Sequence, residues 1–258
     1  MIKTSPATYI KINMPGCFAL KKHYVELGMA VLMLVCFYIL SREAAETAGK
    51  LADVSGNIKN SQVILIDAGH GGVDSGMVGV NDLKEKGINL EISMKLKAIL
   101  EKKGFAVVMT REEDRGLYEE NTKNMKAQDL QNRIAMIQKY SPVLSVSIHQ
   151  NSYSDPQVKG PQVFYYEDSK KGKELALSIQ EQMNDQLSVA RPRAAKGNRT
   201  YYLLKRSSGV INIVECGFLT NPDEAALLQS EEYQEKVANA VADGIGTYLE
   251  EQEVPEKN

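Results

Sequence analysis

Tryptophan is absent from this 258-residue chain, and cysteine and histidine each occur only three times. Cys17 and Cys36 lie near the N-terminus, which leaves Cys216 alone in the remainder. One cysteine makes no internal disulfide, so the folded part must stand on its apolar core. An excess of charge of one sign is also missing: 31 Lys and Arg against 33 Asp and Glu give a formal net charge of -2. That balance offers no electrostatic case for nucleic acid as a partner, because nucleic-acid binders carry a basic excess. No low-complexity tract and no internal repeat is found.

Long apolar runs are scarce as well. The exception is Leu27 to Leu40, fourteen residues preceded by Lys21 and Lys22. The pattern matches the basic start and apolar core of a secretory signal, and it is shorter than the roughly 20 residues of a comfortable membrane span. Small residues at Ala44, Ala45 and Ala48 follow, out of phase for a cleavage site. Export is therefore expected, with cleavage and retention as a membrane anchor both open. Any contact with a membrane is expected through this segment only. An exported chain without disulfides suits a Gram-positive type of envelope better than an oxidising lumen. The expected division is 1–41 signal or anchor, 42–61 polar linker, 62–251 a single domain and 252–258 a polar tail.

Within the domain, short β-branched runs alternate with amphipathic helices. Val63 to Asp67, Phe105 to Met109, Val143 to His149, Gln162 to Tyr166 and Val210 to Glu215 read as strands, with a further short one at Tyr201 to Leu204. Ile88, Ile92, Leu96, Ile99 and Leu100 fall at helical spacing, with Gly104 as the expected C-cap. Leu130, Ile134 and Ile137 mark a second helix, Leu175, Ile179, Met183 and Leu187 a third, and Val237, Val241, Ile245 and Leu249 the last. Pro222 after Thr220 and Asn221 reads as another helix start. The alternation implies an α/β fold, a three-layer sandwich with a mostly parallel central sheet flanked by helices.

In such sheets, sites form beyond the carboxyl ends of the strands. His70, His149 and Glu215 each stand at such an end. Catalytic zinc takes three nitrogen or oxygen ligands and leaves a position open, so two histidines and a carboxylate would satisfy it. Asp67, Asp74, Asp82, Glu85, Glu91 and Glu215 are the carboxylate candidates. Glu85 falls in the polar loop that holds six glycines between Gly69 and Gly87, and flanking Lys84 and Lys86 also fit a solvated charge. Glu215 ends an apolar strand, where a buried carboxylate is costly unless paired or near a metal. None of these spacings is a compact metal motif, so spacing alone leaves the ligand set open.

Six pieces occur in order: Asp67-Ala68-Gly69-His70-Gly71-Gly72; Leu83-Lys84-Glu85-Lys86-Gly87-Ile88-Asn89-Leu90; Thr110-Arg111 with Asp114; Arg133; Ser147-Ile148-His149-Gln150-Asn151; and Val214-Glu215-Cys216-Gly217-Phe218-Leu219-Thr220-Asn221. Together they resemble the zinc-dependent N-acetylmuramoyl-L-alanine amidases of the amidase-3 family. The resemblance implies one zinc ion held by His70, Glu85 and His149, with Glu215 as the catalytic glutamate. The implied partner is peptidoglycan, glycan strands carrying stem peptides, with Asn151, Lys205 and Arg206 as candidate substrate contacts. Ala68, Gln150, Gly87 and Lys205 depart from the family's usual residues. The polar segment between Asp114 and Leu130, and the Gln162 to Tyr166 strand followed later by Tyr202 to Lys205, resemble the sporulation branch, as does the absence of appended wall-binding repeats, which implies a role in forming muramic δ-lactam in spore cortex for germination. The same insertion, with the altered loop at Glu85, makes an activating protein partner a further expectation. Three competing readings are a zinc peptidase cutting within the stem peptide, a thiol hydrolase using Cys216, and a non-catalytic wall-binding protein on the same fold.

Overall fold

The structure, a computed structural model, describes residues 24, 26–38, 41, 42, 63–119, 121–189 and 191–253. The chain falls into two compact units, 1–59 and 60–258. In the first, residues 26–38 form a helix, α1, with exposed side chains. Among the described residues no helix is long and apolar enough to cross a membrane. Most of the expected leader and linker lies outside the described residues, as do the last five residues of the expected tail.

The second unit is built on six strands: β1 (Val63–Ala68), β2 (Ala106–Met109), β3 (Leu144–Asn151), β4 (Gln162–Tyr166), β5 (Lys196–Asn198) and β6 (Ile211–Phe218). Their order in the sheet is β2-β1-β3-β6-β4-β5. β1 runs parallel to β2 and β3, and β3 parallel to β6, while β4 joins β6 antiparallel. The helices are α2 (Glu85–Lys102), α3 (Met125–Tyr140), α4 (Lys170–Gln186), α5 (Tyr202–Arg206), α6 (Pro222–Leu228) and α7 (Glu231–Glu253).

Side chains alternate across each strand, and this sorts the core into two layers. Ile64, Ile66, Val146, Ile148, Val214 and Cys216 pack with the apolar stripes of α2, α4 and α7. Leu65, Ile211 and Ile213 point the other way and pack with Ile134 and Ile137 of α3 and Leu203 and Leu204 of α5. The expected three-layer α/β sandwich is the observed one. α2 ends as its glycine predicts: Gly104 takes φ +91°, its N–H donates to Glu101 O, and Phe105 N–H donates to Leu100 O. That pair of bonds is a Schellman stop. At α6, Asn221 Oδ1 accepts the N–H of Glu224 and Pro222 occupies the first turn.

Two elements differ from the sequence reading. The stretch from Tyr201 to Leu204 is not a strand; α5 begins at Tyr202, and Leu203 and Leu204 are both buried. Consecutive buried residues on one side of a sheet fit a helical turn, whereas a strand would turn one of them away. β5 was not anticipated, because Lys196, Gly197 and Asn198 carry no strand preference and pair only by running along β4.

Candidate active site

The site grows from the register of the parallel strands. Asp67 pairs with Ser147 and His149 with Glu215 across neighbouring strands. All four lie on the odd-numbered face, the one covered by α3 and α5, and His149 and Glu215 stand near the strand ends. Cys216, by the same alternation, points into the opposite layer and is fully buried. Burial also pushes its thiol pKa up, which disfavours the thiolate a nucleophile needs.

Beyond β1 the chain turns sharply. His70 has φ 61°, followed by positive φ at Gly71 and Gly72. A histidine in that region is strained and needs outside support. Two buried arginines supply it: Arg133 donates to the carbonyls of Ala68 and His70, and Arg111 to those of Ala68, Gly69 and Lys86. Asp67 anchors Arg133 and accepts from Thr110 Oγ1 and Ser147 Oγ at 2.8 and 2.6 Å. Burial alone would raise the Asp67 pKa, but the Arg133 charge and these hydrogen bonds bring it down to about 2.

This turn brings His70 to Glu85 and His149. His70 Nε2 lies 3.2 Å from Glu85 Oε2, and His149 Nδ1 lies 2.9 Å from Glu85 Oε1. The two imidazoles meet edge to face with centroids 5.0 Å apart. Glu85 is the first residue of α2 rather than a loop residue, and it is only 4% exposed. Its oxygens also accept N–H bonds from Met77 and Gln150 and one from Asn89 Nδ2. The close approach requires glycine at two places. A Cβ at Gly69 would sit 2.3 Å from the His149 ring, and one at Gly76 would sit 2.4 Å from Glu85 Oε2.

Two imidazoles and a carboxylate whose donor atoms lie within 4.8 Å of one another can hold a metal ion. Nitrogen and carboxylate donors suit zinc among the common ions. Asp74 completes the arrangement, with its Oδ2 2.9 Å from His70 Nδ1. Burial would lower the His70 pKa, yet the hydrogen bonds and charges of Glu85 and Asp74 raise it to about 9. Burial would raise Glu85, and the two histidines hold it well below the usual carboxylate range. Glu215 has no such partner: its Oε2 is buried without a hydrogen bond. Burial, reinforced by the charge of Glu85 and opposed by the histidines, pushes its pKa up to about 7. A carboxylate poised there can both take and give a proton near neutral pH.

Two grooves meet at this cluster. One, a cleft of about 300 Å³, runs under α3 and α5 past Leu130, Lys126 and Tyr202. The other passes Met77, Val78, Asn151 and Ser152. Among the described residues, His70, His149, Tyr201 and Glu215 alone line both. Of the candidate substrate contacts, Asn151 lines the second groove. Lys205 and Arg206 are exposed at the end of α5 and line neither groove, the latter stacking over the Tyr202 ring. Asp82 and Glu91, two other carboxylate candidates, stay outside both grooves. Asn89 and Tyr201 escaped the sequence reading. Asn89 stands four residues after Glu85, a spacing that would have suggested a shared helix face; nothing in the sequence around Tyr201 marks it.

Known proteins resemble this chain in sequence and in fold. Residues 64–247 match the family model for N-acetylmuramoyl-L-alanine amidase. The chain is 36% identical over 199 residues to the germination-specific N-acetylmuramoyl-L-alanine amidase of Bacillus subtilis, covering 76% of this chain and 83% of that one. Among solved structures it resembles the CwlD amidase of Clostridioides difficile in complex with the GerS lipoprotein, with TM-score 0.72 and 38% identity, over 74% of this chain and 99% of that one. The amidase AmiC2 of Nostoc punctiforme matches with TM-score 0.65 and 33% identity, over 73% and 97%.

Proposed function

The chain belongs to the N-acetylmuramoyl-L-alanine amidase family, and on that premise we propose that residues 62–251 form a zinc-dependent domain that splits the amide between N-acetylmuramic acid and L-alanine in peptidoglycan. The observation that carries the proposal is the convergence of His70, Glu85 and His149 beside a buried Glu215 without a hydrogen bond on Oε2. His70, Glu85 and His149 are the proposed holders of the ion. Zinc bound there would supply Lewis acidity, polarising a carbonyl and easing the ionisation of water.

The chain's own part follows from where its groups stand. Glu215 takes a proton from the attacking water as the water oxygen bonds to the carbonyl carbon. It then returns that proton to the nitrogen as the carbon–nitrogen bond breaks, so the L-alanine end leaves as a neutral amine. Asp74 holds the His70 ring through Nδ1, leaving Nε2 toward Glu85. Asn151 is the proposed grip within the second groove, and Lys205 and Arg206 are proposed to meet a carboxylate of a stem peptide extending past α5.

Spore cortex is the proposed setting, with muramic δ-lactam formation needed for germination as the outcome. Support comes from the germination-specific amidase of Bacillus subtilis. An activating protein partner is also proposed, supported by the CwlD amidase structure with the GerS lipoprotein. Action outside the cytoplasm is proposed with it, the N-terminal segment serving as export signal or anchor. The test is mass spectrometry of muropeptides digested by the purified protein, with and without added zinc. Free stem peptides beginning at L-alanine, formed only with metal, are expected. Cleavage within the stem would overturn the amidase reading in favour of a peptidase, and no products with zinc and the partner present would favour a binding protein.

A further inference from the structure

We propose that Tyr201 is a catalytic residue, its phenol donating a hydrogen bond to the carbonyl oxygen of the amide under attack. The inference rests on the amidase reading above. A substrate that fills both grooves must pass through their junction, and the bond to be cut lies there, beside Glu215. Four of the described residues line both grooves: His70, His149, Glu215 and Tyr201. Three of them have roles in the proposed reaction, and Tyr201 is the fourth.

Hydrolysis gains from a donor at that point, because the carbonyl oxygen takes on negative charge as water adds. A donor fixed beforehand stabilises that charge more than it stabilises the neutral amide. Three other donors lining the grooves are engaged elsewhere. Arg133 gives its N–H groups to Asp67, Asp129 and the carbonyls of Ala68 and His70. Lys126 pairs with Asp74, and Gln150 Nε2 with Asn89.

Tyr201 is also held in place. Its backbone N–H donates to Asn198 Oδ1 at 2.7 Å, fixing the entry to α5. Its ring packs edge to face on Phe164, with centroids 5.3 Å apart. Burial, with the charges of Glu215 and Glu85, raises the phenol pKa, so the hydroxyl keeps the proton it would donate.

The test uses the full chain loaded with zinc and a purified muropeptide carrying an L-alanine stem. Tyr201→Phe keeps the ring against Phe164, so fold and zinc content should match the parent. Its kcat should fall on the order of 10²-fold, the loss typical of one such donor, with KM nearly unchanged, because the bond strengthens only as charge develops. A kcat within twofold of the parent would overturn the proposal, and so would a loss confined to KM, which would make Tyr201 a binding residue. If the parent itself releases no stem peptide, the amidase reading fails; if parent and variant release it equally fast, only the role of Tyr201 fails.

Discussion

Asp74 Oδ2 lies 2.9 Å from His70 Nδ1, four residues away along the glycine turn. The contact orients the ring, so that Nδ1 faces Asp74 and Nε2 faces Glu85. Lys126 reaches the other oxygen of Asp74 at 3.3 Å, so the carboxylate stands between a histidine and a lysine. Asp74→Asn should therefore weaken zinc binding roughly 10–100-fold, the usual cost of losing a carboxylate behind a metal-bound histidine. Competition with a chromogenic chelator measures it; an unchanged affinity would leave Asp74 with no part in holding the ion.

Glu215 is the second target. Glu215→Gln keeps size and shape but removes the base, and the rate should fall about 10²–10⁴-fold. Zinc content should stay that of the parent, since the proposed ion-holding atoms belong to His70, Glu85 and His149. A variant as fast as the parent in single-turnover assays would remove Glu215 from the chemistry.

A third prediction concerns Gly76. Its φ of +64° and the 2.4 Å approach to Glu85 Oε2 and 2.7 Å approach to His70 Cδ2 leave no room for a methyl group. Gly76→Ala should destabilise the domain by more than about 1 kcal/mol and displace Glu85, so metal affinity and Tm fall together. Gly87→Ala, at a helical glycine with open space around it, is the matching control and should leave Tm unchanged or slightly higher.

Asp67 and Arg133 give a pH prediction. The Asp67 pKa is depressed from 3.8 to about 2 in the folded chain, so the unfolded state binds the proton more readily. The pair's contribution is fully present well above pH 3.8 and is lost as pH falls through about 2. Asp67→Asn leaves Arg133 paired with Asp129 and should cost roughly 1–3 kcal/mol at neutral pH. In urea melts from pH 7 to 2, the variant should show a shallower loss of stability than the parent; parallel curves would mean that Asp67 is not what acid attacks.

Thiol reagents separate the remaining chemistry. Cys216, on β6, is fully buried in the layer opposite Glu215, so iodoacetamide should leave activity intact while a chelator abolishes it. The reverse pattern would return the thiol hydrolase to consideration.

Much of this was legible from residue order alone. Strand ends at His70, His149 and Glu215 are visible because β-branched runs stop at polar groups, and the two-residue period of a strand puts Glu215 and Cys216 on opposite faces. Glu85 was harder. Lysines on both sides gave it the look of a solvated charge, yet Lys86 is turned away to bind Gly72 O and Asp114, and the carboxylate is buried. α5 was misread because four apolar and aromatic residues in a row suit either a strand or a helix turn, and only the packing of Leu203 and Leu204 decides. Tyr201 could not be found at all, since its importance comes from two grooves that exist only in three dimensions.

The clasp of Arg111 and Arg133 on the carbonyls around His70 also bears on portability. Its bonds to Ala68, Gly69 and His70 span 42–65 residues of chain, bringing the loop after β2 and helix α3 to bear on one turn. A fragment of residues 63–87 would carry His70 and Glu85 yet hold neither in place. Grafting this centre onto another scaffold would mean transplanting both arginines and Asp67 along with it.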